Sequence, residues 1–213
     1  MDLTQALDQI GAVRRGLSSL DHHGRPARAL TAEQTYDATA ADVWDALTDP
    51  ERLPRWFLPV EGDLRVGGRY QLVGNAGGSI ERCDPPRSLA VTWEYGDLVS
   101  WVEVDLAETR GSTTLVLRHI AHPDERWERY GPGAVGIGWD LSMLGLALHL
   151  ATGESNDADA FMAWSTGEEG LAFMRGSNDR WYDADVADGG DPADARLRAD
   201  RTLAFYTGQE EPA

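Results

Sequence analysis

The chain contains no lysine and a single cysteine among its 213 residues. All 19 basic residues are arginines, which excludes Schiff-base chemistry at a lysine and the lysine of a phosphate-binding P-loop. Cys83 alone can form neither an intramolecular disulfide nor a multi-cysteine zinc or iron–sulfur site. Because thiols stay reduced in the cytoplasm, we expect a cytoplasmic protein.

Positive charge is scarce, since 36 acidic residues outnumber the 19 basic ones and give a net charge of −17. Nucleic acids and anionic membrane surfaces bind clusters of basic residues, so we expect neither as a partner. Residues 1–20 contain no long apolar run, which argues against a signal peptide. The most apolar stretch, Ala134–Ala151, is interrupted by glycines, Asp140 and His149, so we expect no membrane insertion.

Both ends of the chain show helical patterns. Leucine, isoleucine and valine recur every three or four positions over residues 1–20, which predicts one helix there. Polar and acidic residues predict helix starts near Ser165 and near Ser177. Asp191, followed by proline, predicts a further helix that ends at about Tyr206.

The middle of the chain alternates between apolar and polar residues, with glycine and proline turns between the runs. This pattern predicts an antiparallel meander, preceded by the extended segment Ala29–Tyr36 and a short helix capped by Thr39. The predicted strands are Arg69–Val73, Ser79–Cys83, Ser88–Tyr95, Leu98–Leu106 and Thr113–Ile120.

The apolar face of such a sheet must be covered. Gly133–Ala151 is long and apolar enough to provide the cover as a largely buried helix. The order of elements indicates an α+β fold, in which a curved antiparallel sheet wraps around this long helix.

Several segments resemble one known superfamily. Thr39–Phe57 reads TAADVWDALTDPERLPRWF, which resembles the opening of helix-grip proteins, the START or Bet v 1-like (SRPBCC) superfamily. Val66–Tyr70 (VGGRY), Asp84–Trp93 (DPPRSLAVTW) and Ser112–His119 (STTLVLRH) match in order, as does the Gly-Trp pair that ends at Trp139. The most similar branch is named after the activator of the heat-shock protein 90 ATPase. The C-terminal segment resembles extensions of some actinobacterial members.

The resemblance implies a helix-grip domain over residues 29–151. A helical extension over 1–28 would precede it, and a helical extension over 152–213 would follow and pack on the domain. The fold of the superfamily also implies a deep cavity between sheet and long helix that binds a hydrophobic small molecule. Aromatic and apolar side chains, with one histidine, are predicted to line this cavity. They are Trp56, Tyr70, Trp93, Tyr95, Leu117, His119, Trp139 and Met143.

His119 is the candidate polar group of this set, because it lies in register with Leu115 and Leu117 on the apolar face of its strand. Two interpretations remain open. The imidazole acts as a general base or polar anchor for a ligand, or it is a core histidine hydrogen-bonded to a neighbour. A metal pair with His122 is not expected, because a spacing of three along a strand sends side chains to opposite faces.

The chain has no recognisable catalytic set. It lacks a G-x-S-x-G element, a dinucleotide-binding fingerprint and a P-loop, and the glycine-rich run Gly74–Gly78 joins two strands. We therefore assign no catalytic residue and expect neither a metal nor a cofactor.

Three functions remain open. The apolar cavity face favours a soluble binder of a hydrophobic small molecule. The alternatives are a polyketide cyclase- or dehydratase-like cavity enzyme that uses His119 together with Tyr70 or Tyr95, and a co-chaperone-like protein interaction module. The C-terminal helices either cover the open side of the cavity or form the surface of a homodimer.

Overall fold

The computed structural model describes residues 3–209, which form seven α-helices and eight β-strands. A single 3-10 turn, Leu53–Arg55, follows the second helix. The helices are α1 (Leu3–Ala12), α2 (Ala40–Thr48), α3 (Glu125–Tyr130), α4 (Gly133–Thr152), α5 (Ala158–Thr166), α6 (Glu168–Ala187) and α7 (Pro192–Tyr206). The strands are β1 (Arg14–His22), β2 (Arg25–Tyr36), β3 (Val60–Gly62), β4 (Arg69–Leu72), β5 (Gly77–Asp84), β6 (Ser88–Tyr95), β7 (Leu98–Thr109) and β8 (Ser112–Ala121).

The strands form one curved, unclosed antiparallel sheet in the order β1-β2-β8-β7-β6-β5-β4-β3. From β3 to β8, each strand pairs antiparallel with the next strand along the chain. The predicted meander is therefore confirmed. The predicted α+β helix-grip class is confirmed as well, including the long helix α4 in place of the predicted Gly133–Ala151.

Two groups of residues are each held together by their own contacts. The sheet unit comprises Glu33–Ala121 and Gly145–Asn156, and thus contains β3 to β8, α2 and the last turns of α4. The terminal unit comprises the chain up to Ala32, the segment His122–Leu144, and the chain from Asp157 onward.

The core of the sheet unit lies on one face of its strands. Val91, Val102 and Leu117 are buried there, and α2 packs on β7 and β8. The side chain of Thr39 accepts a hydrogen bond of 3.2 Å from the backbone N–H of Asp42, which confirms the predicted cap of α2. Each buried valine or leucine side chain stabilises the fold by about 1.5–3 kcal/mol relative to an exposed one.

The prediction of one helix over residues 1–20 is wrong beyond Ala12, because Arg14–His22 is the edge strand β1. The turn that follows explains this. His23 and Gly24 both adopt positive φ (53° and 74°), and the Asp21 side chain accepts a hydrogen bond of 2.9 Å from the Gly24 N–H. Such a tight turn sets the register of β1 against β2. The hydrogen bonds between the two strands stabilise this segment more than the helical spacing of its apolar residues would stabilise a helix.

The prediction of a helix start at Ser177 is also wrong, because α6 is continuous from Glu168 to Ala187. Ser177 and Asn178 are buried inside this helix, and the Ser177 hydroxyl donates to Asp140 instead of capping a new helix. The C-terminal helix α7 is confirmed, with the Asp191 side chain accepting from two backbone N–H groups of its first turn. The short elements β3, α3 and α5 are not predicted by the sequence patterns.

Among residues 3–209, α4 is the one helix that is long and apolar enough to cross a membrane by length and composition. The sequence argument that its polar residues exclude a span therefore does not hold by that measure. The core helix of a water-soluble protein has the same composition, and Asp140 and His149 on α4 are fully buried and hydrogen-bonded within the protein.

Candidate ligand-binding site

The register of β6, β7 and β8 places three predicted site residues, Trp93, Leu117 and His119, on one face of the sheet. His119 lies opposite Val102, and Ser100 lies opposite Trp93. Residues directly opposite each other in an antiparallel pair share a face, and so do residues two apart in one strand. His119, Ser100 and Trp93 therefore share the buried face that carries Leu117, as the sequence pattern predicts for His119.

A chain of hydrogen bonds joins these strands. The Ser100 hydroxyl donates to the carbonyl oxygen of Trp93 (3.1 Å), and His119 Nε2 lies 2.9 Å from the same hydroxyl oxygen. Because a hydroxyl has one proton, Nε2 is the donor of the second bond. Nδ1 of the neutral ring is then a hydrogen-bond acceptor. The ring of Trp93 meets that of His119 edge to face, with 6.5 Å between centroids.

His119 is only 7% exposed. Burial lowers the pKa of His119 from 6.5 to about 4, since a charged imidazole is unfavourable away from water. At neutral pH this side chain is therefore an uncharged hydrogen-bonding group in apolar surroundings.

Tyr70 lies on β4 opposite Gly78 of β5 and is buried. Its hydroxyl donates to the carbonyl oxygen of Thr92 on β6 (2.8 Å), and burial raises the pKa of Tyr70. A Cβ at Gly78 would lie 2.1 Å from the same carbonyl oxygen. Glycine is required here because the strands approach too closely for a side chain, and this approach lets Tyr70 reach across β5.

The remaining predicted residues of the sheet unit have different environments. Leu117 is buried, whereas Tyr95, at the β6–β7 turn, is 59% exposed. Trp56 is half-buried after the 3-10 turn, where its indole N–H donates to the carbonyl oxygen of Ala46 (2.8 Å) and its ring stacks on Phe57 at 5.4 Å. Trp56 is thus anchored to the end of α2.

Trp139 and Met143 lie on the part of α4 that belongs to the terminal unit. Met143 is buried and Trp139 is half-buried. The structure thus places Tyr70, Trp93, Tyr95, Leu117 and His119 on strands of one sheet. One site formed by all eight predicted residues stays a prediction.

Sequence reasoning missed a buried histidine of the sheet unit. Arg52 Nε donates to Nε2 of His149 (3.0 Å), and Nδ1 of His149 donates to the carbonyl oxygen of Glu154 (2.7 Å). Nη1 of Arg52 also contacts the carboxylates of Asp42 and Asp45, at 2.6 and 2.9 Å. This network fastens the end of α4 to α2. Its partners are 97 residues apart, so no local pattern could have paired them.

Sequence reasoning also missed a buried carboxylate of the terminal unit. Asp140 accepts from Arg15 Nε (3.0 Å), from the indole N–H of Trp181 (3.0 Å) and from the Ser177 hydroxyl. Burial raises the pKa of Asp140, and these three donors oppose that rise. An acidic residue inside an apolar helix was the available signal, but its partners come from β1 and α6. In the part of the chain that the structure describes, no cluster of three or more His, Cys, Asp or Glu could hold a metal ion.

The curved antiparallel sheet and the long helix define a helix-grip protein. Comparisons with known proteins identify the family within this class. Residues 37–151 match the sequence profile of the family described as Activator of Hsp90 ATPase homolog 1-like protein. The chain belongs to this family. No curated protein sequence matches the chain significantly.

Solved structures agree with this assignment. The solution structure of CalU16 from Micromonospora echinospora is 33% identical, with a TM-score of 0.69 over 84% of this chain and 97% of CalU16. The crystal structure of the same protein gives 32% identity and a TM-score of 0.64, over 81% and 98% of the two chains. DynU16, a protein in the dynemicin biosynthetic locus, shares the fold at 22% identity and a TM-score of 0.50, over 60% of this chain and 48% of DynU16. The Aha1 dimer from Colwellia psychrerythraea shares it at 13% identity and 0.51, over 59% and 97%.

Proposed function

We propose that the protein is a cytoplasmic binder of a hydrophobic small molecule, and that the ligand contacts the buried sheet face around His119. The domain that binds it is the helix-grip domain over residues 29–151. The observation that carries the proposal is the His119–Ser100 pair, a neutral polar group on an otherwise apolar face. Ligand pockets are mostly apolar with a few fixed polar groups, and this pair supplies such a group.

The chemistry of the pair suggests the class of ligand. The aromatic and aliphatic side chains of the face, including Trp93 and Leu117, suit an extended apolar or aromatic skeleton. The neutral imidazole and the hydroxyl exchange hydrogen bonds with uncharged polar groups, and burial disfavours a charged ligand there. We therefore propose a neutral, largely apolar ligand with a hydroxyl group that donates to this pair, because the protons of Ser100 and of Nε2 are already donated within the sheet. The occurrence of DynU16 in a biosynthetic locus is compatible with a biosynthetic small molecule.

A polyketide cyclase- or dehydratase-like reaction is less well supported. A histidine that donates protons near neutral pH must be substantially protonated there, and a pKa of about 4 leaves the imidazole of His119 neutral. The same low pKa makes it a weak base.

Binding can be tested with 2-naphthol, an uncharged aromatic fluorescent dye that carries a hydroxyl group. We expect saturable dye fluorescence with the wild-type protein and at least about fivefold weaker binding by His119→Gln, since a hydrogen bond contributes about 1 kcal/mol. His23→Asn is the matched control, because His23 is exposed in a turn at positive φ, which asparagine tolerates.

Native mass spectrometry of the same preparations reports both a retained small molecule and the homodimer that we propose by analogy with the Aha1 neighbour. The binder proposal fails if wild-type protein neither retains a small molecule nor binds the dye. A protein partner that co-purifies with an otherwise ligand-free chain would favour the interaction module.

A further inference from the structure

A pocket lies in the terminal unit, outside the site proposed above. It has a volume of about 340 Å³ and opens between the end of α1, the start of β1 and α6. Its apolar wall includes Ile10, Val13 and Ala184, all of which are buried. Known ligand pockets range from about 300 to 1,000 Å³, so this one suits a small molecule.

Arg15 forms the polar wall of this pocket, and its guanidinium group is held rigidly. Nε donates to the carboxylate of Asp140 (3.0 Å), and Nη1 donates to the carbonyl oxygens of Ile10 (3.0 Å) and Val13 (2.9 Å). The guanidinium carbon lies 5.8 Å from the centre of the Trp181 ring. These contacts fix the orientation of the group before any ligand arrives.

The third guanidinium nitrogen of Arg15, Nη2, makes none of these contacts. The Arg15 side chain is 4% exposed, and its Nη2 has no hydrogen-bond partner within residues 3–209. Buried donors in folded proteins are almost always paired, because an unpaired one has lost its bonds to water. Nη2 is itself almost fully enclosed, so an acceptor in the pocket reaches it only after a shift of the side chains that cover it.

A second arginine makes the pocket suitable for an anion. Arg180 lies in the pocket wall on α6, and the carboxylate of Asp183 is 3.7 Å from its Nη1. Both of these side chains are more than half exposed, so their ion pair is weak and Arg180 can turn toward a ligand.

We propose that this pocket binds the anion of a small carboxylic acid. The carboxylate would accept hydrogen bonds from Nη2 of Arg15 and from Arg180, and the short alkyl chain would lie against Ile10, Val13 and Ala184. Planar guanidinium groups match carboxylates geometrically. A single negative charge fits better than a dianion, because Asp183 also lines the pocket and the chain carries a net charge of −17.

The test is an NMR titration of the full-length protein with sodium hexanoate, followed at the indole N–H of Trp181, which contacts Asp140 beside Arg15. The assignment of this resonance follows from its loss in Trp181→Phe. We expect saturable shifts with hexanoate. 1-Hexanol, which has the chain without the charge, and acetate, which has the charge without the chain, should bind at least about tenfold more weakly.

Arg180→Gln should weaken hexanoate binding by about tenfold, the loss typical of removing one charged partner. Arg175→Gln is the matched control, since Arg175 is an exposed arginine of α6 that does not line the pocket. The proposal is overturned if hexanoate causes no saturable shift, if 1-hexanol binds as tightly as hexanoate, or if Arg180→Gln binds with the affinity of the wild type.

Discussion

Burial of His119 couples the protonation of its imidazole to the stability of the sheet unit. The side chain is held uncharged between Ser100 and Trp93, so a proton bound at acidic pH must be accommodated in apolar surroundings. In the unfolded chain the same imidazole is in water and binds a proton with an ordinary pKa. The unfolded state therefore binds more protons than the folded state between the two pKa values, and stability rises with pH there.

This coupling gives a prediction for pH-dependent unfolding. As the pH falls from 6.5 toward 4, the pKa values of His119 in the two states, the wild-type protein should lose stability. At a pH of about 4.5 the loss attributable to His119 should be about 2–3 kcal/mol relative to pH 7. Urea unfolding at both pH values measures it.

His119→Gln is the comparison for this experiment, because its amide does not titrate while all carboxylates remain. The free energy of unfolding of the wild type should therefore fall relative to that of the variant as the pH is lowered. Parallel stability curves for the two proteins would show that the imidazole is not buried as described.

At the scale of elements, close approach of strands positions the site. Tyr70 reaches the carbonyl oxygen of Thr92 across β5 only because Gly78 has no side chain between them. In the same unit, Arg52 and His149 join α2 to the end of α4. The terminal unit is joined in the same way, since Asp140 on α4 accepts from β1 and α6.

Gly78→Ala should therefore destabilise the protein. Its Cβ would lie 2.1 Å from the Thr92 carbonyl oxygen, and overpacking of this kind costs about 1–3 kcal/mol. Gly16→Ala is the control, since a Cβ at Gly16 would have no atom within 4 Å and should change stability by less than about 0.5 kcal/mol. Thermal unfolding compares the two variants, and equal melting temperatures would contradict the predicted approach of β5 to β6.

At the scale of the whole molecule, charge is the dominant feature. A net charge of −17 on 213 residues makes the folded state repel itself, although arginine–carboxylate pairs such as Arg118–Asp105 offset part of this repulsion. Exposed ion pairs contribute little each, typically about 0–1 kcal/mol.

Salt should therefore raise the melting temperature. Raising NaCl from about 0.02 M to about 0.5 M shortens the screening length severalfold and weakens the net repulsion more than it weakens the exposed pairs. Calorimetry at several salt concentrations measures the effect, with sucrose of equal osmolality as the control for general solute effects. A melting temperature that falls with NaCl would mean that the exposed ion pairs outweigh the net charge.

Much of the fold could be predicted from local sequence patterns. The alternation in Ser88–Tyr95 and in the strand that carries Leu115, Leu117 and His119 reports which side chains face the core, because that information repeats every two residues. The long helix was predicted to within one residue at its C-terminal end, since an apolar run of that length has few other stable conformations. These features depend on residues that are close together in the chain.

The remaining features were decided by tertiary structure. Residues 1–20 show a helical spacing of apolar residues, but pairing with β2 makes Arg14–His22 a strand. Ser177 has the character of a helix cap, yet contact with Asp140 buries it inside α6. Arg15 and Asp140 are 125 residues apart, so no window of sequence could show that they meet. Long-range partners decide how Asp140 and Ser177 are hydrogen-bonded, because burial without those partners would cost more free energy than the local pattern contributes.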